Sequence, residues 1–168
     1  MPAISPPTNA EEAFKRGLAC LERKTYQEAA SYFQLTLDME KQEGSKNNSM
    51  KSLSFLGLSL NLIQGRSDEG LKLCEQAANR DFFDADLFCN LGMVYLRHRR
   101  RGPAFAAFKR GLVLRPKHRR ILDELERYDR RSEPTFPFLR RDHAINILAG
   151  RLRARIRGLK ERFAPTEA

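Results

Sequence analysis

The sequence predicts an all-α chain made of three consecutive helical hairpins. Apolar residues recur at helical spacing in three stretches, approximately 13–39, 50–79 and 85–114, and a short polar or glycine-containing break divides each stretch into two helices. No stretch alternates strictly between apolar and polar residues, and no Asn-Gly or Asp-Gly pair marks a β-hairpin. The chain has 168 residues, 41% of them apolar, which is enough to bury a core between stacked hairpins.

Local signals mark where the helices begin and where they break. Residues 1–9 contain three prolines and are expected to form a disordered lead-in. Thr8 or Asn9 can cap the first helix, and the acidic residues that follow favour the positive end of the helix dipole. The breaks inside the hairpins are predicted near residues 24–25, 65–67 and 99–102.

The three hairpins align with one another as internal repeats. Each first helix carries a glycine and each second helix a small residue, so the two helices of a hairpin can approach closely. These residues are Gly17, Gly57 and Gly92 in the first helices and Ala29, Gly70 and Ala104 in the second. Phe33 and Phe108 fill the space between neighbouring hairpins. A hairpin cannot bury its apolar face alone, so the repeats are expected to stack.

The pattern resembles the tetratricopeptide repeat (TPR) family over approximately residues 10–116. The third copy is the closest match, with Leu91, Gly92, Tyr95, Ala104, Phe108 and Pro116. The earlier copies depart from the family pattern at Arg16, where a leucine is usual, and at Cys74, where an aromatic residue is usual. The resemblance implies a right-handed superhelical stack of antiparallel helical hairpins, a TPR-like α-solenoid. Its three repeats would span about 10–41, 50–82 and 84–116, with a capping helix at 117–129.

The resemblance also implies a concave groove lined by the first helices of the hairpins. The positions expected to face it are Phe14, Leu18, Leu21, Ser54, Leu58, Asn61, Asp86, Cys89, Asn90, Met93 and Leu96. The places where relatives hold a C-terminal carboxylate with Lys, Arg and Asn are here Phe14, Leu18, Phe55, Asp86 and Asn90. That clamp is therefore not expected, and the groove suits an apolar or helical segment. Alternatively, these residues belong to the core or are covered by the chain's own tail.

The positive charge of the chain is concentrated in its C-terminal half. The net charge is +10, but residues 1–95 carry 10 basic and 13 acidic side chains, whereas residues 96–168 carry 21 and 8. This asymmetry predicts an acidic partner, which can be nucleic acid, an anionic membrane or an acidic protein face. The predicted basic surface comprises Arg97, Arg99, Arg100, Arg101, Arg119, Arg120, Arg151, Arg153, Arg155 and Arg157.

The C-terminal segment contains a second amphipathic element. A linker rich in proline and phenylalanine over 130–141 is expected to pack along the repeats, and a basic amphipathic helix is predicted over 142–163, followed by a tail at 164–168. Four interpretations of this helix remain open: docking within the chain, docking onto a partner or a second copy, binding to an anionic membrane, and binding to nucleic acid.

No motif in the sequence indicates catalysis, a metal site or a cofactor. His98, His118 and His143 are far apart and each lies among arginines, which argues against a metal site. Cys20, Cys74 and Cys89 match neither a disulfide framework nor a zinc spacing, which favours a reduced, cytoplasmic protein. We expect neither a signal peptide nor a membrane-spanning segment.

These observations together predict a non-catalytic scaffold or adaptor. Its groove would bind a peptide or helix of a partner protein, with a homo-oligomer as a further option. The alternative is a protein that binds nucleic acid or an anionic membrane surface through its basic C-terminal half.

Overall fold

The computed structural model describes residues 5–42 and 49–131, and these ranges form helices without any strand. The helices are α1 Ala10–Glu22, α2 Tyr26–Gln42, α3 Ser49–Leu62, α4 Ser67–Arg80, α5 Ala85–Arg97, α6 Arg101–Leu114 and α7 Arg119–Arg131. The linker beyond residue 131, the basic helix predicted over 142–163 and the tail lie outside the described residues. The first four residues of the predicted lead-in lie outside them as well.

The chain divides into two compact units, residues 1–124 and 125–168. In the first unit α1 packs against α2, α3 against α4 and α5 against α6, which makes three helical hairpins. Neighbouring hairpins meet through α2 and α3, through α4 and α5, and through α3 and α5. The prediction of an all-α stack of repeated hairpins is confirmed for this unit. Of the second unit, the structure describes the last part of α7.

Side chains at the helix starts satisfy backbone N–H groups that would otherwise lack partners. The side chain of Asn9 accepts a hydrogen bond of 2.8 Å from the Glu12 amide, and the Glu12 carboxylate accepts hydrogen bonds from the amide and the hydroxyl of Thr8. The arrangement resembles a capping box, except that the Glu12 side chain reaches back to Thr8 and not to the N-cap residue Asn9. Asp84 caps α5 by accepting from the Asp86 amide at 2.8 Å.

The three hairpin turns share one backbone feature. Lys24, Gly65 and Arg99 each lie just after the first helix of a hairpin and have φ angles of 64°, 81° and 58°. A left-handed residue at this position ends a helix and lets the chain reverse. Only the second turn uses glycine, so the other two carry the steric cost of a Cβ atom in this region.

Glycines allow the two helices of each hairpin to pack closely. A Cβ atom on Gly17 would lie 2.8 Å from the Phe33 ring, and one on Gly92 would overlap the Phe108 ring. In the second hairpin Gly57 faces Cys74 instead, because no aromatic side chain is present there. Phe33 and Phe108 are almost fully buried. The Phe33 ring lies 5.5 Å, centre to centre, from the Phe55 ring of α3, which agrees with its predicted place between neighbouring hairpins, whereas Phe108 packs against Gly92 of its own hairpin.

Candidate functional site

The eleven positions predicted to line the groove differ in burial. Partly exposed are Phe14, Leu18, Leu21, Asp86, Met93 and Leu96. At most 3% exposed are Ser54, Leu58, Asn61, Cys89 and Asn90. A ligand that leaves the helices in place can therefore touch the first set but not the second. The buried set holds the first helices together, as the 3.2 Å hydrogen bond from the Asn90 amide to the Ser54 hydroxyl illustrates.

Arg120 on α7 contacts residues of both α5 and α3. Its Nη2 donates a hydrogen bond of 3.0 Å to the side-chain oxygen of Asn90 and lies 3.6 Å from the sulfur of Met93. Its guanidinium carbon is 5.5 Å from the centre of the Phe55 ring, a cation–π distance. The sequence interpretation assigned Arg120 to the basic surface. In the structure its side chain is partly buried and packs against α5.

Asp86 lies at the centre of an ionic cluster. Its carboxylate is 2.9 Å from Nε2 of His118, 3.2 Å from Nζ of Lys51 and 3.8 Å from Nη1 of Arg115. Burial alone would raise the pKa of Asp86, but the hydrogen bond with His118 and the charges of Lys51 and Arg115 outweigh it, so the pKa is lowered. The cluster ties the start of α5 to α3 and to the turn before α7.

Sequence reasoning did not pair His118 with Asp86. The sequence placed His118 only among arginines. In the structure it is 3% exposed and lies against the Asp86 carboxylate. The two residues are 32 positions apart, so no local pattern joins them. The repeat alignment carried a signal, because Asp86 lies in the first turn of the first helix of the third hairpin, and His118 directly precedes α7, the helix that follows that hairpin.

Asn61, Ser67 and His98 form a second polar cluster, which links the turns of the second and third hairpins. The Asn61 amide nitrogen is 2.9 Å from the Ser67 hydroxyl and 2.9 Å from Nε2 of His98. The Ser67 hydroxyl is 3.0 Å from the same ring nitrogen. A serine beside a histidine can be a nucleophile and its base. Here Asn61 shares that nitrogen, and the nearest carboxylate, Asp68, is 91% exposed and 3.8 Å from the ring.

The remaining residues of the predicted basic surface are exposed where the structure describes them. These are Arg97, Arg99, Arg100, Arg101 and Arg119. Arg100 lies 3.8 Å from the Glu75 carboxylate and stacks 5.4 Å from the centre of the Tyr95 ring. Arg151, Arg153, Arg155 and Arg157 lie outside the described residues.

The three thiols are all buried. Burial raises the pKa of Cys74 to about 12 and that of Cys89 to about 11, so both stay protonated and poorly nucleophilic at neutral pH. Among the residues that the structure describes, no three or more His, Cys, Asp or Glu side chains are grouped as a metal site. In the same part of the chain, no helix has the length and apolar character needed to cross a membrane.

The fold has a counterpart among solved structures. The chain is similar to the crystal structure of YrrB, described as a TPR protein with an unusual peptide-binding site, with a TM-score of 0.52 and 19% sequence identity. The match covers 74% of this chain and 59% of the YrrB chain. No family model and no curated protein matches the sequence. At this identity the likeness establishes a fold, and that fold is a TPR-like α-solenoid.

Proposed function

We propose that this chain is a non-catalytic interaction scaffold that binds a peptide or helix of a partner protein along its first helices. The observation that carries the proposal is the partly exposed set on α5. Met93 and Leu96 offer apolar surface, and Asp86 on the same helix holds the charged cluster. A partner segment could bury the apolar side chains while its polar groups reach that cluster.

Two further observations support this proposal. YrrB, which shares the fold, is described as having a peptide-binding site, although the present chain spans only 59% of its length. The polar clusters of the described residues join helices: Ser67 and His98 connect two turns, and Arg120 spans α5. Because these polar groups are held in hydrogen bonds between helices, a structural role is favoured for them over a catalytic one. The free thiols fit a reducing, cytoplasmic location.

The experiment that tests the proposal is affinity capture from native lysate, divided into nuclease-treated and untreated halves and read out by mass spectrometry. Specific proteins should remain bound to the chain after nuclease treatment. They should no longer be captured by the double variant Met93→Lys, Leu96→Lys. The matched control is Gln27→Lys, Gln76→Lys, which adds the same charge on the exposed faces of α2 and α4. Leu58 is unsuited to this test because it is only 3% exposed, so a lysine there would disrupt the core. Retention of every partner by a folded groove variant would contradict the proposal.

The alternative function is binding of nucleic acid or an anionic membrane through the basic C-terminal half. The exposed arginines at 97, 99, 100, 101 and 119 favour it. Replacing Arg151, Arg153, Arg155 and Arg157 by glutamine separates the two functions. A scaffold keeps its nuclease-resistant protein partner, whereas a binder that relies on the C-terminal helix loses nearly all binding.

A further inference from the structure

The exposed large apolar side chains of the described residues all lie between positions 82 and 122. They are Phe82, Phe83, Phe105, Val113, Leu114 and Leu122. Phe83 is 86% exposed and Val113 is 74% exposed. The same stretch contains ten Lys or Arg residues and only two acidic residues. Exposed apolar groups that cluster in one region and alternate with cations mark an interaction surface.

The second helices of the three hairpins provide an internal comparison. Val113 on α6 corresponds to Asp38 on α2 and to Asn79 on α4, counted from the aligned Phe108, Phe33 and Cys74. All three positions are exposed, and only α6 has an apolar side chain there. Helix α6 also contains no acidic residue, whereas α2 and α4 both do. Its outward face is therefore not an ordinary solvated repeat surface.

The loop between α4 and α5 places Phe82 beside α6. Arg110 of α6 lies with its guanidinium carbon 5.2 Å from the centre of the Phe82 ring and 4.8 Å from that of Phe88. Phe83 follows directly and projects into solvent. We call Phe82, Phe83, Phe105, Lys109, Arg110 and Val113 the α6 patch.

The two carboxylates of this loop, those of Asp81 and Asp84, accept hydrogen bonds from backbone amides. Asp81 accepts a 2.9 Å hydrogen bond from the Phe83 amide, and Asp84 caps α5. Both aspartates are partly buried while both phenylalanines are exposed. The backbone N–H groups of the loop and of the α5 N-terminus offset part of their charge. The α6 patch therefore offers aromatic and aliphatic groups next to cations.

We propose that the α6 patch is a docking surface for an anionic phospholipid bilayer. Phenylalanine and valine side chains enter the boundary between headgroups and acyl chains, and lysine or arginine at their edge meets lipid phosphates. Arg110 combines the two chemistries, because its guanidinium lies against the Phe82 and Phe88 rings while the side chain remains exposed to solvent. This surface lies on α6 and the loop between α4 and α5, so the proposal does not depend on the proposed groove along the first helices.

The composition of the patch favours lipid over the other acidic partners. Nucleic acid binds aromatic rings and cations by stacking and by phosphate contacts, and the exposed aliphatic side chain of Val113 serves neither. An acidic protein would need a complementary surface, whereas a bilayer accepts protruding rings of any arrangement. The membrane contact would be peripheral, and the groove would stay free to hold a protein partner.

Cosedimentation of the full chain with vesicles tests the proposal. The probes are vesicles of phosphatidylcholine alone and vesicles with about one-third phosphatidylglycerol. We expect binding to the anionic vesicles only, and its loss as salt rises from about 0.1 M to about 1 M. Lys109→Gln with Arg110→Gln should weaken binding roughly 25-fold, about fivefold for each charge. Phe83→Ser should weaken it about tenfold.

Matched variants keep the result interpretable. Lys41→Gln with Lys72→Gln removes the same charge from the exposed faces of α2 and α4 and should leave vesicle binding within about twofold of the wild type. Because Arg110 also contacts the buried Phe88, Lys109→Gln alone serves as the milder variant if the double variant unfolds. Thermal melts followed by circular dichroism establish that each variant is folded.

Three outcomes would overturn the proposal. The first is no binding to anionic vesicles, and the second is binding that the folded patch variants leave unchanged, which would move the contact to another surface. The third is patch-dependent binding of a single-stranded oligonucleotide, or of a protein from lysate, by a chain that ignores vesicles. That result would assign the α6 patch to a different class of partner.

Discussion

The carbonyl oxygen of Gly57 occupies the space into which a methyl group on Gly70 would project. The amide nitrogen of Asn61 would lie only 2.5 Å from that methyl carbon. Helices α3 and α4 therefore meet backbone to backbone at this point. The first and third hairpins have Ala29 and Ala104 at the position of Gly70, so the second hairpin has the smallest possible residue there.

Gly70→Ala should destabilise the protein by about 3 kcal/mol, because backbone atoms of α3 cannot move aside as a flexible side chain can. The matched control is Gly102→Ala on α6, where a Cβ atom would have no neighbour within 4 Å. That change should alter the free energy of unfolding by less than about 1 kcal/mol, because Pro103 restricts the residue before it and so offsets the gain that alanine brings to a helix. Urea unfolding measures both free energies. Equal stability of the two variants would contradict the close approach at Gly70.

Asp86→Asn should lower the free energy of unfolding at neutral pH by about 1–3 kcal/mol, because it leaves His118 and Lys51 without their charged acceptor. The pKa of Asp86 is lowered in the folded chain, so this stability is present above the ordinary carboxyl range. It is lost as the pH falls below about 4, through the folded pKa. When unfolding is measured across pH, the free energies of unfolding of the wild type and the variant should converge in acid. A difference that stays constant with pH would be evidence against a stabilising role of the cluster.

Lys24→Gly should stabilise the protein by about 1 kcal/mol, because glycine adopts the left-handed φ of 64° without a steric cost. The second hairpin already carries glycine at the corresponding position, with a φ of 81°. Gly65→Ala should therefore destabilise by about the same amount, although its Cβ atom would meet nothing within 4 Å. Thermal or urea unfolding measures whether each variant is more or less stable than the wild type. A loss of stability in Lys24→Gly would show that the left-handed turn conformation does not cost the wild type stability.

The thiols of Cys74 and Cys89 should react with an aromatic disulfide reagent only when the protein opens. Burial raises the pKa of Cys74 to about 12 and that of Cys89 to about 11, so the reactive thiolate is scarce and shielded. Reaction followed by absorbance should accelerate with added urea in step with unfolding. Fast stoichiometric labelling of either thiol in native buffer, located by peptide mass spectrometry, would contradict this burial.

Local patterns in the sequence were sufficient to predict the repeated hairpins. Helical spacing of apolar residues, a glycine in each first helix and a small residue in each second helix describe how two neighbouring helices pack. The structure confirms the all-α stack and the burial of Phe33 and Phe108. The left-handed turns lie where the sequence breaks near 24–25, 65–67 and 99–102. These features depend on contacts within one hairpin or between adjacent ones.

The tertiary structure decided which polar side chains are buried and what they contact. The Asp86–His118 pair, the Arg120–Asn90 hydrogen bond and the contact of Asn61 with His98 join residues 30 or more positions apart. No periodicity encodes such pairs, because they depend on how far one hairpin is rotated and shifted against the next. The same rotation buries five of the predicted groove positions and leaves Val113 and Phe83 exposed. Sequence spacing identifies the face of a helix, but packing against its neighbours decides whether that face remains open.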